Sequence, residues 1–441
     1  AFKDTYFAEF NMGYNGSENF AKGHRWGFFP SIALGYNISE ESFFEPLRKV
    51  ITSMKLRGSW GLVGNDQIGG ERFIYMPTIN LSGKGFTTGI DQNYGLSGPV
   101  YTRYENNSIT WEVGEKINLG IDLQLLNSLN IVVDIFRETR RDIFQKKGTI
   151  PTYLGTGNTD VFGNLAEMKN QGLDLSIDYN KAFSKDFYMN FKGTFTYAHN
   201  EITKYDEAPK YAFQSKVGQS ANVSQGYLSN GLFLDEAEID RYNQQMGSTL
   251  GAGDIKYLNV SNMHGYGDDI VDVDDWTWIG NPTVPEIVYG FGPSFKYKNW
   301  DFSFFFQGVA KTSLFMSGFH PFGDNSLRNV LQFVANDRWS PTNQNVDAKY
   351  PRLTRKTSLN NTNPGNSGRT SDYWMRDGSF LKLKNMELGY TFKRMRFYIS
   401  GSNLLTFSKF DLWDPEQGGG SGLKYPTQRV FNVGFQMTFN N

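Results

Sequence analysis

The feature that most constrains this chain is a period of two in its apolar residues. Between Tyr6 and Tyr14 every second position is apolar or aromatic, and most positions between them are polar or small. Successive side chains of a β-strand point to opposite faces, so each such segment is a strand with one apolar face. The pattern recurs at 26–36, 54–62, 111–123, 129–137, 173–179, 187–197, 287–297, 300–308, 380–392, 397–405 and 430–439. The sequence therefore predicts an all-β chain of roughly a dozen strands.

Composition excludes several classes of protein. The chain has a net charge of -1 and no cysteine, so it has no excess of positive charge for nucleic acid and no disulfide framework. No apolar stretch approaches the roughly 20 residues that a membrane-spanning helix needs. The first ten residues lack a basic region followed by an apolar core, so we expect no signal peptide in this sequence.

Aromatic residues near the strand ends separate a membrane barrel from a soluble sheet. They include Trp26, Tyr36, Trp60, Trp111, Tyr197, Tyr297 and Trp300. Barrels in the outer membrane carry aromatic girdles at both interfaces, whereas a soluble sheet has no reason for that placement. The aromatic fraction of 16% and the 47 glycines also suit sheet faces and tight turns.

The connections between the predicted strands alternate in length. Short connections at 126–128, 181–186, 298–299 and 393–396 separate long ones at 140–165, 200–286, 310–379 and 408–429. Outer-membrane barrels have short periplasmic turns and long external loops. The pattern predicts a transmembrane antiparallel β-barrel whose last strand ends in the periplasm.

Ten short motifs, in order along the chain, resemble the SusC/RagA type of TonB-dependent outer-membrane transporter. They lie at 25–31, 56–61, 118–122, 170–175, 253–257, 279–282, 371–374, 381–385, 401–405 and 414–416. No single motif is specific for this family, but the motifs together, in this order and at this spacing, are specific for it. The resemblance covers nearly the whole chain and identifies it with the C-terminal barrel portion of such a transporter.

The resemblance implies a function and several partners. It predicts energised import of oligosaccharides or peptides across the outer membrane of a Gram-negative bacterium. It also implies that residues 1–441 supply about a dozen strands of a larger barrel of about 22. The loops near 64–110, 140–165, 200–286, 310–379 and 408–429 are expected outside the cell. The implied partners are TonB, a SusD-like surface lipoprotein, the other half of the barrel and an N-terminal plug, which we expect to be absent from this chain.

Two other functions remain open at this point. A passive porin shares the barrel pattern, and a soluble surface protein that binds glycans shares the strand and aromatic content. Catalysis has no support, because the four histidines lie far apart in the sequence and there is no nucleophile motif. We therefore expect no enzymatic activity and no catalytic residues.

Two groups of loop residues are candidates for ligand binding. Aromatic rings can stack on sugar rings, although packing within the loops is the competing explanation for them. The candidates are Trp276, Trp278, Tyr373, Trp374 and Trp413. The resemblance also leads us to expect an aspartate-rich turn in the longest loop, and carboxylates are ligands for calcium. The candidates for calcium are Asp254, Asp268, Asp272 and Asp274, but the segment lacks the regular D-x-[DN]-x-[DN]-G spacing, so solvated acids are the alternative.

Overall fold

The computed structural model describes residues 1–70, 72–151, 153, 160–242, 244–245, 250–317, 329–353 and 370–439. The chain forms two compact units. The first comprises Ala1–Asp178, Tyr197–Pro209 and Ser215–Ala221, and the second comprises Tyr179–Thr196, Lys210–Gln214 and Asn222–Asn441. Parts of the predicted loops 140–165, 200–286 and 310–379 lie outside the described residues.

Strands dominate the described residues. The first nine are β1 Tyr6–Gly16, β2 Trp26–Asn37, β3 Ile51–Asn65, β4 Thr78–Thr88, β5 Tyr94–Arg103, β6 Glu112–Leu125, β7 Leu129–Lys146, β8 Phe162–Ala182 and β9 Phe187–Lys204. Short strands follow at β10 Ser224–Gly226, β11 Ser229–Leu232, β12 Gln244–Gln245, β13 Ile255–Tyr257, β14 Ile270–Val271 and β15 Thr277–Ile279. The last are β16 Ile287–Tyr297, β17 Trp300–Ala310, β18 Ser313–Phe315, β19 Met375–Asp377, β20 Phe380–Phe392, β21 Met395–Ser408 and β22 Val430–Met437. Short helices are α1 Glu236–Ile239, α2 Val260–Met263 and α3 Gln332–Asn336.

The long strands form one sheet. In the described part of the chain it contains twelve strands, in the order β1-β2-β3-β6-β7-β8-β9-β16-β17-β20-β21-β22. Neighbours such as β1 and β2, β3 and β6, and β20 and β21 pair antiparallel. The prediction of an all-β chain with about a dozen antiparallel strands is therefore confirmed. Among the described residues, no helix is long and apolar enough to cross a membrane.

In the first unit, one face of the sheet is apolar and exposed. Phe10, Ile32, Trp60 and Ile117 lie in register across β1, β2, β3 and β6. All four side chains are exposed, as are Leu34 and Leu119 on the same face. Water would oppose such a continuous apolar face, whereas the hydrocarbon of a bilayer solvates it.

Stacked aromatic pairs mark the two ends of this face. Tyr6 stacks on Tyr36 with ring centroids 5.2 Å apart, and Tyr14 stacks on Trp26 at 5.0 Å. Eight residues separate Tyr6 from Tyr14, which is about 26 Å along a strand, or roughly 20 Å of height at a tilt of about 40°. This spacing approaches the apolar band of an outer-membrane barrel, about 25 Å tall.

The opposite face of the same strands is charged. The Arg57 guanidinium donates to the carboxylate of Asp122 over 3.0 Å and to that of Asp134 over 3.0 Å. The Lys55 ammonium lies 4.4 Å from the centroid of the Phe7 ring. Arg57 and the exposed Leu56 are consecutive residues, so the strand does alternate between a charged and an apolar face.

The second unit repeats this arrangement. Trp300, Tyr390, Phe397 and Phe435 lie in register across β17, β20, β21 and β22 and form an aromatic row beside the short turns. Phe302, Phe304 and Phe306 continue the apolar face, with adjacent ring centroids 5.6 Å and 5.8 Å apart. On the other face, Arg396 donates to Asp301 over 3.0 Å and to Glu387 over 2.5 Å.

The connections alternate in length as the sequence predicted. Tight turns join β6 to β7, β16 to β17 and β20 to β21, and Lys298 and Lys393 adopt φ values of 53° and 56°. Such left-handed residues are typical of two-residue hairpins, whose turn follows the twist of the strands. Long connections follow β7, β9, β17 and β21.

Several strands were predicted too short. Strands β7, β8 and β9 are longer than the predicted 129–137, 173–179 and 187–197, because they continue beyond the apolar face. In these extensions both faces of the strand are polar. Arg141 and Glu115, for example, form an ion pair at 2.8 Å on the face that is apolar further along the strands. The alternation of apolar and polar residues therefore ends before the strands do. The predicted loop 64–110 also contains the hairpin of β4 and β5.

The two faces of β17 lead to a test of the register. Replacing Phe304 by arginine should reduce the free energy of unfolding in a bilayer by about 2 to 4 kcal/mol, because the charge enters hydrocarbon. The same change at Ser303, on the charged face, should cost little. Urea titration of the full gene product refolded into liposomes measures both values. Equal costs would mean that the register is wrong by one residue.

Candidate functional site

The long connections of the second unit share a hydrophobic core of their own. Tyr227 and Tyr257 come from the connection after β9, Trp339 and Trp374 from the one after β17, and Phe410 from the one after β21. Each of these side chains is at most 5% exposed. The three connections therefore form one packed body, held together mainly by burial of aromatic rings.

This loop core contains four of the five aromatic residues proposed for sugar stacking. Trp374 has no exposed surface, and Trp276 meets the ring of Tyr227 edge to face with centroids 5.9 Å apart. The Tyr373 hydroxyl donates to the carbonyl of Ala348 over 2.7 Å, and burial raises the pKa of that tyrosine. Trp413 donates to the carbonyl of Gly418 over 3.0 Å.

Their contacts support the packing explanation. Trp278, the fifth candidate, is half-buried in β15 opposite Gln225 of β10. The assignment of any of the five residues to substrate binding stays a prediction.

The motif at 253–257 has a structural explanation. Gly253 adopts a φ of 84°, and a Cβ on it would come within 2.3 Å of the Trp339 ring, so only glycine fits beside the loop core. The Asp254 carboxylate is fully buried and accepts two hydrogen bonds from Arg352, over 2.6 Å and 3.0 Å. It also accepts one from the backbone of Gly251 over 2.9 Å. Asp254 thus ties two loops together as a charge-assisted, bidentate pair.

The four aspartates proposed for calcium have protein partners. Besides the pair of Asp254 with Arg352, Asp274 forms an ion pair with Lys210. The Asp272 carboxylate caps a turn by accepting from the backbone of Asp274 over 2.8 Å, and the Asp268 carboxylate accepts from Asn259 over 3.1 Å. The described residues contain no group of three or more acidic or histidine side chains that could hold a metal. The structure thus gives the calcium assignment no support, and the assignment stays a prediction.

A cluster of charges joins two other motifs, at 381–385 and 414–416. The Lys382 ammonium is 1% exposed and lies 2.5 Å from a carboxylate oxygen of Asp414 and 2.7 Å from one of Glu416. Lys384, which is more exposed, also pairs with Glu416 at 2.8 Å. Strand β20 therefore holds the connection after β21 by a nearly buried lysine with two anionic partners.

Sequence reasoning missed one group of loop residues. Four rings, Tyr211, Phe213, His264 and Tyr266, come together on the surface of the connection after β9. The residues lie about fifty positions apart in two segments, and nothing in their spacing pairs those segments. The aromatic content of each segment could have indicated this group. The five residues that we proposed for sugar stacking were mostly tryptophans and did not include any of these four.

Comparison with known proteins relates this chain to one family. Residues 3–404 match the family described as "TonB dependent receptor-like, beta-barrel". The chain is 26% identical to TonB-dependent receptor P3 of Formosa agariphila, over 99% of this chain and 44% of that protein. It is 27% identical to TonB-dependent receptor SusC of Bacteroides thetaiotaomicron, over 99% of this chain and 42% of that protein. The chain thus spans less than half the length of these relatives.

Solved structures agree on the fold. The RagAB peptide importer in its "closed-closed" state has a TM-score of 0.71 and 21% sequence identity, over 99% of this chain and 46% of that chain. Its "open-open" state has a TM-score of 0.72 and 19% identity. Both likenesses extend over the strands and loops described above.

The Lys382 cluster makes a prediction about loop order. Lys382→Met leaves Asp414 and Glu416 without their main partner and should cost about 1 to 3 kcal/mol of local stability. Lys384→Met, the matched control at the exposed end of the cluster, should cost less than about 1 kcal/mol. Hydrogen exchange of residues 409–429 measures both. Equal protection in the two variants would contradict a structural role for the buried lysine.

The same cluster sets a pH dependence. Burial raises the pKa of Asp414 and of Glu416, but hydrogen bonds from Lys382 outweigh it, so both values lie below the ordinary range. A depressed carboxyl pKa stabilises the fold above the unfolded value, near pH 4, and this stability is lost as the pH falls through the folded value. Protection of 409–429 in the unmodified protein should therefore stay constant from neutral pH to about pH 5 and fall below about pH 4.

Proposed function

Because the chain belongs to the TonB-dependent receptor-like β-barrel family, we propose that it supplies wall and loops to an outer-membrane transporter energised by TonB. The observation that carries this proposal is the two-faced sheet. Its apolar face is bounded by aromatic rows and its other face bears ion pairs such as Arg57 with Asp122 and Arg396 with Asp301. A sheet with these two faces suits a wall between lipid and a wet, plugged lumen.

The proposed orientation follows from the connections. The tight turns after β6, β16 and β20 belong in the periplasm, and the packed loops after β9, β17 and β21 belong outside the cell. The last strand then runs towards the periplasm. An ordered loop body of this size is more than a set of connectors, since long loops of this kind are usually functional.

The proposed cargo is an oligosaccharide or a peptide, and the proposed partners are TonB, a plug domain and a surface lipoprotein of the SusD type. The resemblance of the sequence motifs to the SusC/RagA type suggests this pair of cargo classes, and a solved structure with the same fold is described as the RagAB peptide importer. The proposed cycle has three steps: capture at the loops, rearrangement of the plug when TonB pulls, and release into the periplasm. The relatives are receptors and transporters, and we assign no chemistry to this chain.

Labelling of single cysteines tests the orientation, because this chain has no cysteine of its own. Leu423→Cys, in the connection after β21, should react with a membrane-impermeant maleimide on intact cells. Lys185→Cys, in the turn between β8 and β9, should react only after the cells are lysed. Equal labelling of both variants on intact cells would contradict the proposed orientation.

Energy coupling separates a transporter from a passive porin. Cells should lose growth on the transported nutrient when either this gene or the gene for TonB is deleted, since import needs both. The full gene product in a planar bilayer should also give no permanent open channel, because the lumen is plugged. Growth that is independent of TonB, together with a steady conductance, would instead favour a porin.

A further inference from the structure

The connection after β9 carries a cluster of four aromatic rings outside its hydrophobic core. The Phe213 ring stacks on His264 with centroids 4.6 Å apart and on Tyr211 at 5.5 Å. Tyr211 in turn meets Tyr266 at 4.3 Å. We call Tyr211, Phe213, His264 and Tyr266 the aromatic platform. None of the four belongs to the loop core described above.

Two separate segments are fixed to each other to build the platform. The Gln214 side chain donates to the carbonyls of Val273 and Asp274 over 3.3 Å and 3.1 Å, and Lys210 forms an ion pair with Asp274. These contacts dock segment 210–214 against the turn at 273–275. Lys210 and Gln214, which flank Tyr211 and Phe213 in the sequence, therefore fix the segment that carries these two rings.

The other two rings follow helix α2. The His264 amide donates to the carbonyl of Val260 over 3.2 Å, and the Tyr266 amide donates to that of Ser261 over 3.1 Å. Gly265 has a φ of 81° and ends the helix in the left-handed region that favours glycine. The backbone thus fixes the direction in which Tyr266 leaves the helix.

The platform is open to solvent. Tyr266 is 50% exposed, His264 is exposed, and the neighbouring Met263 is 69% exposed. Tyr211 and Phe213 are half-buried, whereas Tyr266 and His264 are exposed, so holding these two rings in place costs entropy and gains little burial. Tyrosine and other aromatic rings held in this way are typical of recognition surfaces.

The charge around the platform selects among ligands. Residues 259–279 contain five aspartates and neither lysine nor arginine. Lys210, the nearby cation, already pairs with Asp274, and its ammonium lies 5.2 Å from the centroid of the Tyr211 ring. The local potential is negative, so an anionic ligand is repelled and a neutral one is not.

We propose that the aromatic platform binds a neutral oligosaccharide, with the C–H faces of its sugar rings packed on Tyr266 and His264. A pyranose has an apolar C–H face that matches an exposed aromatic ring. The inference rests on the proposed function and deepens it, because exposed rings suit the C–H faces of sugars and the surrounding aspartates disfavour acidic glycans.

Calorimetry on the full gene product, purified from outer membranes in detergent, tests the proposal. The neutral probes are maltoheptaose, cellohexaose, laminarihexaose, xylohexaose and mannohexaose. The comparison probes are tetragalacturonate, a chondroitin tetrasaccharide and tetra-alanine. At least one neutral probe should bind, and Tyr266→Ala and His264→Ala should each weaken it roughly tenfold, as expected for loss of one aromatic contact.

The matched control is Tyr425→Ala, which removes a ring that is 80% exposed and lies outside the platform. Its affinity should equal that of the unmodified protein. Circular dichroism and heat-modifiable gel migration check that each variant is folded.

Three results would overturn the inference. The first is binding of only the acidic or peptide probes, and the second is no binding of any probe. The third is binding of the neutral probe that Tyr266→Ala leaves unchanged; if that variant also releases a co-purified lipoprotein, the platform is a protein contact. If cysteine labelling still gives the proposed orientation, any of these outcomes removes the platform alone and leaves the transporter assignment standing.

Discussion

The structure depends on one constraint, which is that backbone amides and carbonyls have no water to bond within a bilayer. Strands that pair with neighbours on both sides satisfy these groups, and successive strands of the sheet do so in register over ten or more residues. Once the backbone is satisfied in this way, every second side chain must point to lipid. The period of two in the sequence is the direct consequence of that geometry.

The charged face follows from the same geometry. Residues such as Arg57 and Arg396 alternate with apolar neighbours, and each is bonded to two carboxylates across adjacent strands. In the proposed wet lumen the charges can remain, while the paired carboxylates keep each guanidinium in place. Each of these two networks crosses three strands, so they also help to hold the strand register.

The loops follow a different rule, because water surrounds them and a core can form. Trp374, Tyr257 and Tyr227 pack at the centre of a body that draws on three connections. Buried polar links hold its edges, namely Asp254 with Arg352 and Lys382 with Asp414. Binding residues can then occupy the outside of this body, as the aromatic platform does, while its interior stays fixed.

The sequence was sufficient for the wall and much less so for the loops. Within the bilayer the environment has only two sides, so alternation such as Leu56 and Arg57 reports the face directly. Strands β7 and β8 exceeded their predicted ends because both faces meet water there. In the loops, the sequence around an aromatic residue such as Trp374 looks the same whether the residue packs in a core or binds a sugar. Only the tertiary packing distinguishes the two. The platform pairs segments separated by about fifty residues, which no local pattern encodes.

Spin labels placed singly along β21, from Phe397 to Gly401 in the full gene product in lipid bilayers, test the account most directly. Collision rates with oxygen, which concentrates in lipid, and with a water-soluble nickel chelate report the surroundings of each position. The account predicts oxygen maxima at Phe397, Ile399 and Gly401 and chelate maxima at Tyr398 and Ser400. A profile without a period of two, or with the maxima exchanged, would contradict a membrane wall built in this register.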